Sequence, residues 1–237
     1  MNLSWRNILA IAVKELLDIR SNFNVLLIYV LPVFLTLLYQ IVIPELPLGF
    51  GLAFGLLFLV AMVGIYVPSM MIAEEKEKKT LEVLMLSPAS SGDIFVGKGL
   101  VTFASIFFTM VLLVVLANVK IASLSIILIG TALTSIFCIF IGMIIGMLVS
   151  TQLGTGAIGT PVYILFMLVP LLGDLSGGWM EIIAKALPTY YFLAMVNVAF
   201  IPGAALGDVA FHMTYLLASV IIAFFALLTI YRRTGPC

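Results

Sequence analysis

Charge is the scarcest feature of this chain. Only 9% of its 237 residues are Asp, Glu, Lys or Arg, against about a quarter in an ordinary soluble domain. A chain so poor in charge cannot cover a folded surface with polar groups, and it reads as a membrane protein. Eleven basic and eleven acidic residues cancel, so no basic face marks a nucleic-acid partner. There is one histidine, His212, and there are two cysteines, Cys138 and Cys237, far apart in sequence. That excludes a disulfide framework and a Cys/His metal site, and neither a metal nor a cofactor is expected. Acids and bases are also missing from the depths of the long apolar runs, which argues against a proton- or ion-coupled carrier. An intramembrane protease or metalloenzyme would need a nucleophile–base pair or clustered ligands at that depth, and none is visible. His212, near the start of the last apolar run, reads as a polar interfacial residue. A signal-peptide layout is absent too, since the first long apolar run starts only near residue 23 and is of full length.

What the chain has is apolar length. Hydrophobic residues make up 64%, and six runs reach the roughly 20 residues that a membrane-crossing helix needs: 23–43, 50–73, 96–117, 124–149, 157–173 and 209–230. The runs are unbroken, whereas barrel strands alternate. The expected fold is an all-α membrane protein, one domain over 1–237. Placing Arg6, Lys14, Arg20, Lys76, Lys78, Lys79, Lys98, Arg232 and Arg233 on one side leaves only Lys120 and Lys185 on the other. The excess of positive charge predicts that both termini are cytoplasmic.

Three connecting segments carry further pattern. Residues 1–22 are too charged to span. Trp5, Ile8, Leu9, Ala12, Val13, Leu16, Leu17 and Ile19 share a broad helical face opposite Asn7, Lys14, Glu15 and Asp18, which predicts an amphipathic interfacial helix. Residues 174–208, on the outer side, are too apolar for an exposed loop, and Pro188 divides them into two pieces too short to span. These predict interfacial or re-entrant helices before the sixth span. In the fourth span Cys138, Gly142, Gly146, Ser150 and Gly154 recur every four residues, and Gly51 and Gly55 repeat the pattern in the second. Gly142, Gly146 and Ser150 are therefore candidate helix-packing positions, within one subunit or at a dimer seam.

The third segment, 74–92, begins EEKEKKTLEVLML. Glu74–Lys78 and Glu75–Lys79 are i, i+4 pairs in the favourable order, and Leu81, Leu84 and Met85 form an apolar patch before Pro88 ends the helix. The pattern suits either a solvated hairpin or a docking surface for another protein. Gly92, Gly97 and Lys98 follow with the spacing G-x-x-x-x-G-K. A phosphate-binding loop requires Ser or Thr after the lysine and a buried strand before the motif. Here Gly99 follows Lys98 and a charged helix-prone run precedes, so the stretch reads as the start of the third span. Lys98 is expected to snorkel to the headgroups, and Gly97 and Gly99 to allow close packing.

This loop resembles that of ABC-2-type permeases, the membrane subunits of ATP-driven exporters. The residues that carry the resemblance are Glu75, Glu77, Thr80, Leu81, Glu82, Leu84, Pro88, Gly97 and Lys98, with Lys79 where that family usually has glycine. The layout and the LPTYYF run, Leu187 to Phe192, are similar as well. The resemblance implies a permease without enzymatic activity of its own, in a prokaryotic plasma membrane. It implies a second permease subunit, as homodimer or heterodimer, and ATP hydrolysed by a separate ABC ATPase subunit. The cytoplasmic coupling helix would lie near Glu75 to Met85, with Glu75, Glu77, Lys79, Thr80, Leu81, Glu82, Leu84 and Pro88 at the ATPase interface. Glu75 and Glu82 would make polar contacts, and Leu81 and Leu84 would form a buried patch. The cargo stays open between a lipid, a drug-like compound, a haem-related compound and sodium. Two other classes fit the spans: an ATP-independent six-helix channel or carrier, and a membrane scaffold that recruits a soluble partner.

Overall fold

A computed structural model describes residues 4–42, 49–79, 90–176 and 178–234. Most of those residues are helical, and none of them lies in a strand. In chain order the helices are α1 (Trp5–Ser21), α2 (Phe23–Val42), α3 (Phe50–Glu77), α4 (Ser91–Ala117), α5 (Leu124–Leu148), α6 (Gln152–Ser176), α7 (Gly178–Ala186), α8 (Pro188–Val198) and α9 (Ala210–Thr234). Six of them, α2 to α6 and α9, are long and apolar enough to cross a membrane. Continuous helix is what apolar runs of this length require, because each backbone N–H and C=O must find its partner inside the segment.

The helix ends lie where local chemistry puts them. Ser90 caps α4: the Asp93 N–H donates to Ser90 Oγ at 3.2 Å and the Ser90 N–H donates to Asp93 Oδ2 at 2.9 Å. This reciprocal box starts the third span five residues before its apolar run. Thr151 accepts the Gly154 N–H at 3.1 Å and likewise starts α6 ahead of its predicted boundary. Lys79 ends α3 with φ +54°, a left-handed conformation that glycine adopts without a Cβ penalty. The position where the resembled family carries glycine is therefore one whose backbone favours it.

The second span is the axis of the bundle. Within its most apolar window 78% of residues are buried, against 17% in α9, so the other helices wrap around α3 while α9 lies at the periphery of the bundle. A π-helical turn at Leu59–Val63 widens α3 at its middle. The small residues of α5 allow it to lie against that axis. A Cβ on Gly142 would stand 2.9 Å from the Gly64 carbonyl oxygen and 2.7 Å from Pro68 Cγ, and one on Gly146 would stand 2.8 Å from the Ser69 carbonyl oxygen. Cys138 packs on Gly64 in the same seam. The stripe thus works within one subunit, and it is shorter than its sequence period. α5 ends at Leu148, and Ser150, assigned to packing by its spacing, lies exposed beyond that end.

Opposite the charged loop, α8 is inserted among α3, α5, α6 and α9, with Thr189, Phe192, Met195 and Val196 buried. Pro188 occupies its first turn, where a missing N–H costs nothing. The Ala199 carbonyl accepts the Ala122 and Ser123 N–H groups, each at 3.0 Å, and fastens α8 to the start of α5. α7 is the interfacial piece, with Trp179 and Ile182 about 70% exposed. α1 also lies across the bundle, but its inward face differs from the apolar face of the sequence pattern. Ile8, Ile11, Ala12, Glu15 and Ile19 are buried, while Trp5, Leu9, Val13, Leu16 and Leu17 face outward.

Because the carbonyls facing Gly142 are backbone atoms that cannot rotate away, Gly142→Val is expected to destabilise the bundle by about 1–3 kcal/mol. Gly207→Ala, with nothing within 4 Å of the added Cβ, is expected to leave it unchanged. Thermal unfolding of both variants in detergent checks the difference.

Candidate coupling site at the charged end of the bundle

Four charged side chains from three helices meet beside the predicted coupling loop. Lys98 of α4 is fully buried, and its Nζ lies 2.7 Å from Glu15 Oε1 of α1 and 2.9 Å from Glu75 Oε1 of α3. It also reaches the Met71 carbonyl oxygen at 3.4 Å. Lys14 approaches the same two carboxylates from outside, at 3.1 Å from Glu15 and 3.2 Å from Glu75, and adds Asp18 at 3.4 Å. Two ammonium groups and two buried carboxylates alternate, so the charge of the inner cluster cancels. Burial alone would lower the Lys14 pKa; Glu15 and Glu75 outweigh that effect and hold it above the usual lysine value.

Local sequence explains how each group arrives. Glu15 shares the Ile8–Ile11–Ala12–Ile19 face of α1, and Gly97 of α4 receives that face, since its missing Cβ would lie 2.8 Å from Ile11 Cγ2. One residue on, Lys98 turns toward α1 and α3. Asp93, besides capping α4, accepts the Ser4 N–H at 2.8 Å and Asn7 Nδ2 at 3.4 Å. The start of α1 is thereby fixed to the start of α4.

The remaining charges at the end of α3 hold other helix ends. Lys76 Nζ donates to the Met147 and Val149 carbonyls, both at 2.6 Å, where α5 has unpaired acceptors. Glu77 Oε2 accepts the Gln152 N–H at 2.9 Å at the start of α6, where a negative charge is favoured. Glu74 pairs with Lys78 at 2.5 Å on the surface, which raises the Lys78 pKa through that hydrogen bond. A cleft of about 650 Å³ opens beside the cluster, lined by Lys14, Asp18, Asn22, Glu74, Glu75 and Lys78 among others.

Three expectations change. Glu75, predicted to contact a partner, is buried at 3% exposure and bound within the protein. Lys98, predicted to snorkel to headgroups, points inward to the Glu15 and Glu75 carboxylates. The Glu75–Lys79 pair is replaced by Glu75–Lys98, since the left-handed turn at Lys79 takes its side chain off the helix line. The G-x-x-x-x-G-K stretch is α-helix from Ser91 onward. Glu77 and Lys79 are exposed at the head of the loop, and Thr80, Leu81, Glu82, Leu84 and Pro88 lie outside the described residues. Sequence reasoning missed Lys14, Glu15, Lys76 and Asp93. The available signal was Glu15 itself, an acid four residues from an isoleucine on either side, Ile11 and Ile19.

Removing one partner from a buried ion cluster leaves the others uncompensated, at a cost of about 3 kcal/mol or more. Lys98→Met is therefore expected to lower the stability of the folded chain by that order, while Lys78→Ala leaves it unchanged. Denaturation in mixed micelles distinguishes the two variants.

No curated protein matches the chain. The family model described as ABC-2 family transporter protein matches residues 47–230, which takes in the end of α3, the loop and the start of α4. The chain is a multi-pass membrane protein that belongs to the ABC-2 transporter family.

Proposed function

We propose that the chain is the permease subunit of an ATP-driven exporter, with ATP hydrolysed on a separate subunit docked below the charged end of the bundle. The observation that carries this reading is the way both legs of the 78–90 loop are anchored. Glu75 precedes the loop, Lys98 follows it, and the two are joined to each other and to α1. Lys76 and Glu77 extend the anchorage to α5 and α6. A force applied to a free surface loop dissipates in that loop. A force applied here reaches five helices at once, as a rigid-body switching mechanism requires.

In this reading the charged end faces the cytoplasm of a prokaryotic cell, both termini lie there, and two permease subunits form the transport route. The ATPase contact falls to the loop, with Leu81 and Leu84 as its apolar patch and Glu77, Lys79, Thr80, Glu82 and Pro88 around it. Glu75 acts one step behind, as a positioning residue. The partner must bind two permease states with different free energy, because only a differential interaction shifts their populations. The apolar character of the spans favours a hydrophobic or amphiphilic cargo.

The test is affinity purification of the tagged chain from native membranes in mild detergent, with ATPase activity assayed in the eluate. A co-purifying ATPase is expected, and it should be lost on combining Leu81→Asp with Leu84→Asp while the permease keeps its thermal stability. A stable chain that elutes without any ATPase contradicts the exporter reading and favours the ATP-independent channel or carrier. An ATPase that stays bound to the double variant contradicts the assignment of the loop.

A further inference from the structure

The cleft of about 650 Å³ beside the charged cluster, between α1, the start of α2 and the end of α3, has a graded lining. Along α3 it is lined by Val67, Met70 and Met71, and then by Glu74, Glu75 and Lys78. Spacings of three and four put these six on one helix face. That face is apolar for its first two turns and charged for its last two, over roughly 16 Å. Across the apolar part, Ile19 of α1 and Val25 of α2 line the cleft and share a core with Val67 and Met71. Across the charged part, Lys14 of α1 bridges to Glu75 at 3.2 Å. One end of the cleft is thus ionic and the other apolar.

The charges at the ionic end do not balance. Lys14 and Lys98 offset Glu15 and Glu75. Asp18 and Glu74 then share the single ammonium of Lys78, Glu74 through its hydrogen bond and Asp18 through space. Asp18 is exposed and Glu74 half-buried, and both line the cleft. The mouth therefore carries one carboxylate in excess, above an apolar floor.

We propose that this cleft binds the ammonium group of an amphiphile between Asp18 and Glu74, with the apolar part of the ligand laid along Val67, Met70 and Met71. The excess carboxylate selects a positive head over a negative one. The apolar depth selects an amphiphile over a bare inorganic cation, and the flexible thioethers of Met70 and Met71 adapt to chains of different shape. Lys78 competes with the ligand for both acids. Such binding requires neither ATP nor a partner subunit, so loss of the exporter reading would leave it standing.

The experiment places the full chain in phosphatidylglycerol nanodiscs with a photoreactive dodecylamine or, as its uncharged match, the N-acetyl derivative, followed by peptide mapping. Labelling is read relative to the exposed Phe108 on α4, which cancels the partition of each probe into the bilayer. The amine is expected to label 14–25 and 67–78 above that reference, and the N-acetyl derivative is not. Asp18→Asn and Glu74→Gln should each weaken the amine labelling by about twofold to fivefold, the scale of one partly exposed ion pair. Lys78→Gln removes the competing ammonium and should strengthen it. Met70→Trp, which fills the apolar part, should abolish it, with thermal unfolding to show that the fold is kept. Arg20→Gln, outside the lining, should change nothing. Phosphatidylethanolamine added to the disc separates two sources of the same chemistry. Displacement of the amine supports an aminophospholipid as occupant, and its retention supports a free amphiphilic amine. Equal labelling by the N-acetyl derivative overturns the proposal. So does labelling that ignores both acid variants or that spreads evenly around the bundle.

Discussion

The structure depends on one buried ammonium group. Lys98 lies at the start of a membrane-spanning helix, excluded from solvent, and is held there by Glu15 and Glu75. None of the three can leave alone, because an unpaired charge in a poorly polarisable interior is far costlier than a hydrated one. The constraint fixes α1 across the bundle, sets the rotation of α4 about its axis, and determines which way the end of α3 faces. The close seam between α3 and α5 follows from the same placement, since Gly142 and Gly146 meet α3 only when its Gly64–Ser69 stretch faces them.

The cluster also changes the meaning of the most charged part of the sequence. A run such as EEKEK is usually a solvated face. Here three of its members tie helices together: Glu75 holds Lys98, Lys76 closes α5 and Glu77 opens α6, while Glu74 and Lys78 pair on the surface. Helices in a membrane protein end where water begins, and at that level the unpaired carbonyl and N–H groups need partners. A charged helix end in the middle of the bundle can supply several neighbours at once. A membrane protein with few charges thus places a large share of them at one junction, which is also where its longest charged loop begins.

Much of this was legible in the sequence, and the exceptions have physical causes. The six spans and the division of the outer segment at Pro188 follow from apolar length and proline chemistry alone. Their boundaries moved where a polar cap, Ser90 or Thr151, lengthened a helix beyond its apolar run. The inward side of α1 was not legible from amphipathicity. A helix between lipid and protein has two apolar neighbours, so its pattern cannot say which of them Leu16 or Ile19 meets. Glu75 and Lys98 were visible as charges and misplaced as surface groups, because twenty-three residues separate them and sequence spacing reports only local partners. The period-four stripe of α5 held as far as the helix itself and failed at Ser150, where the helix had ended.

The central claim is that Glu75, at the end of α3, and Lys98 belong to the interior rather than to a free docking face. A double-mutant cycle on Glu75→Gln and Lys98→Met, read by denaturation of the detergent-solubilised chain, tests it most directly. The account predicts a coupling of about 1–3 kcal/mol, with the double variant less damaged than the sum of the two single ones. Additive effects, with each single variant near neutral, would show two independently solvated charges and contradict it.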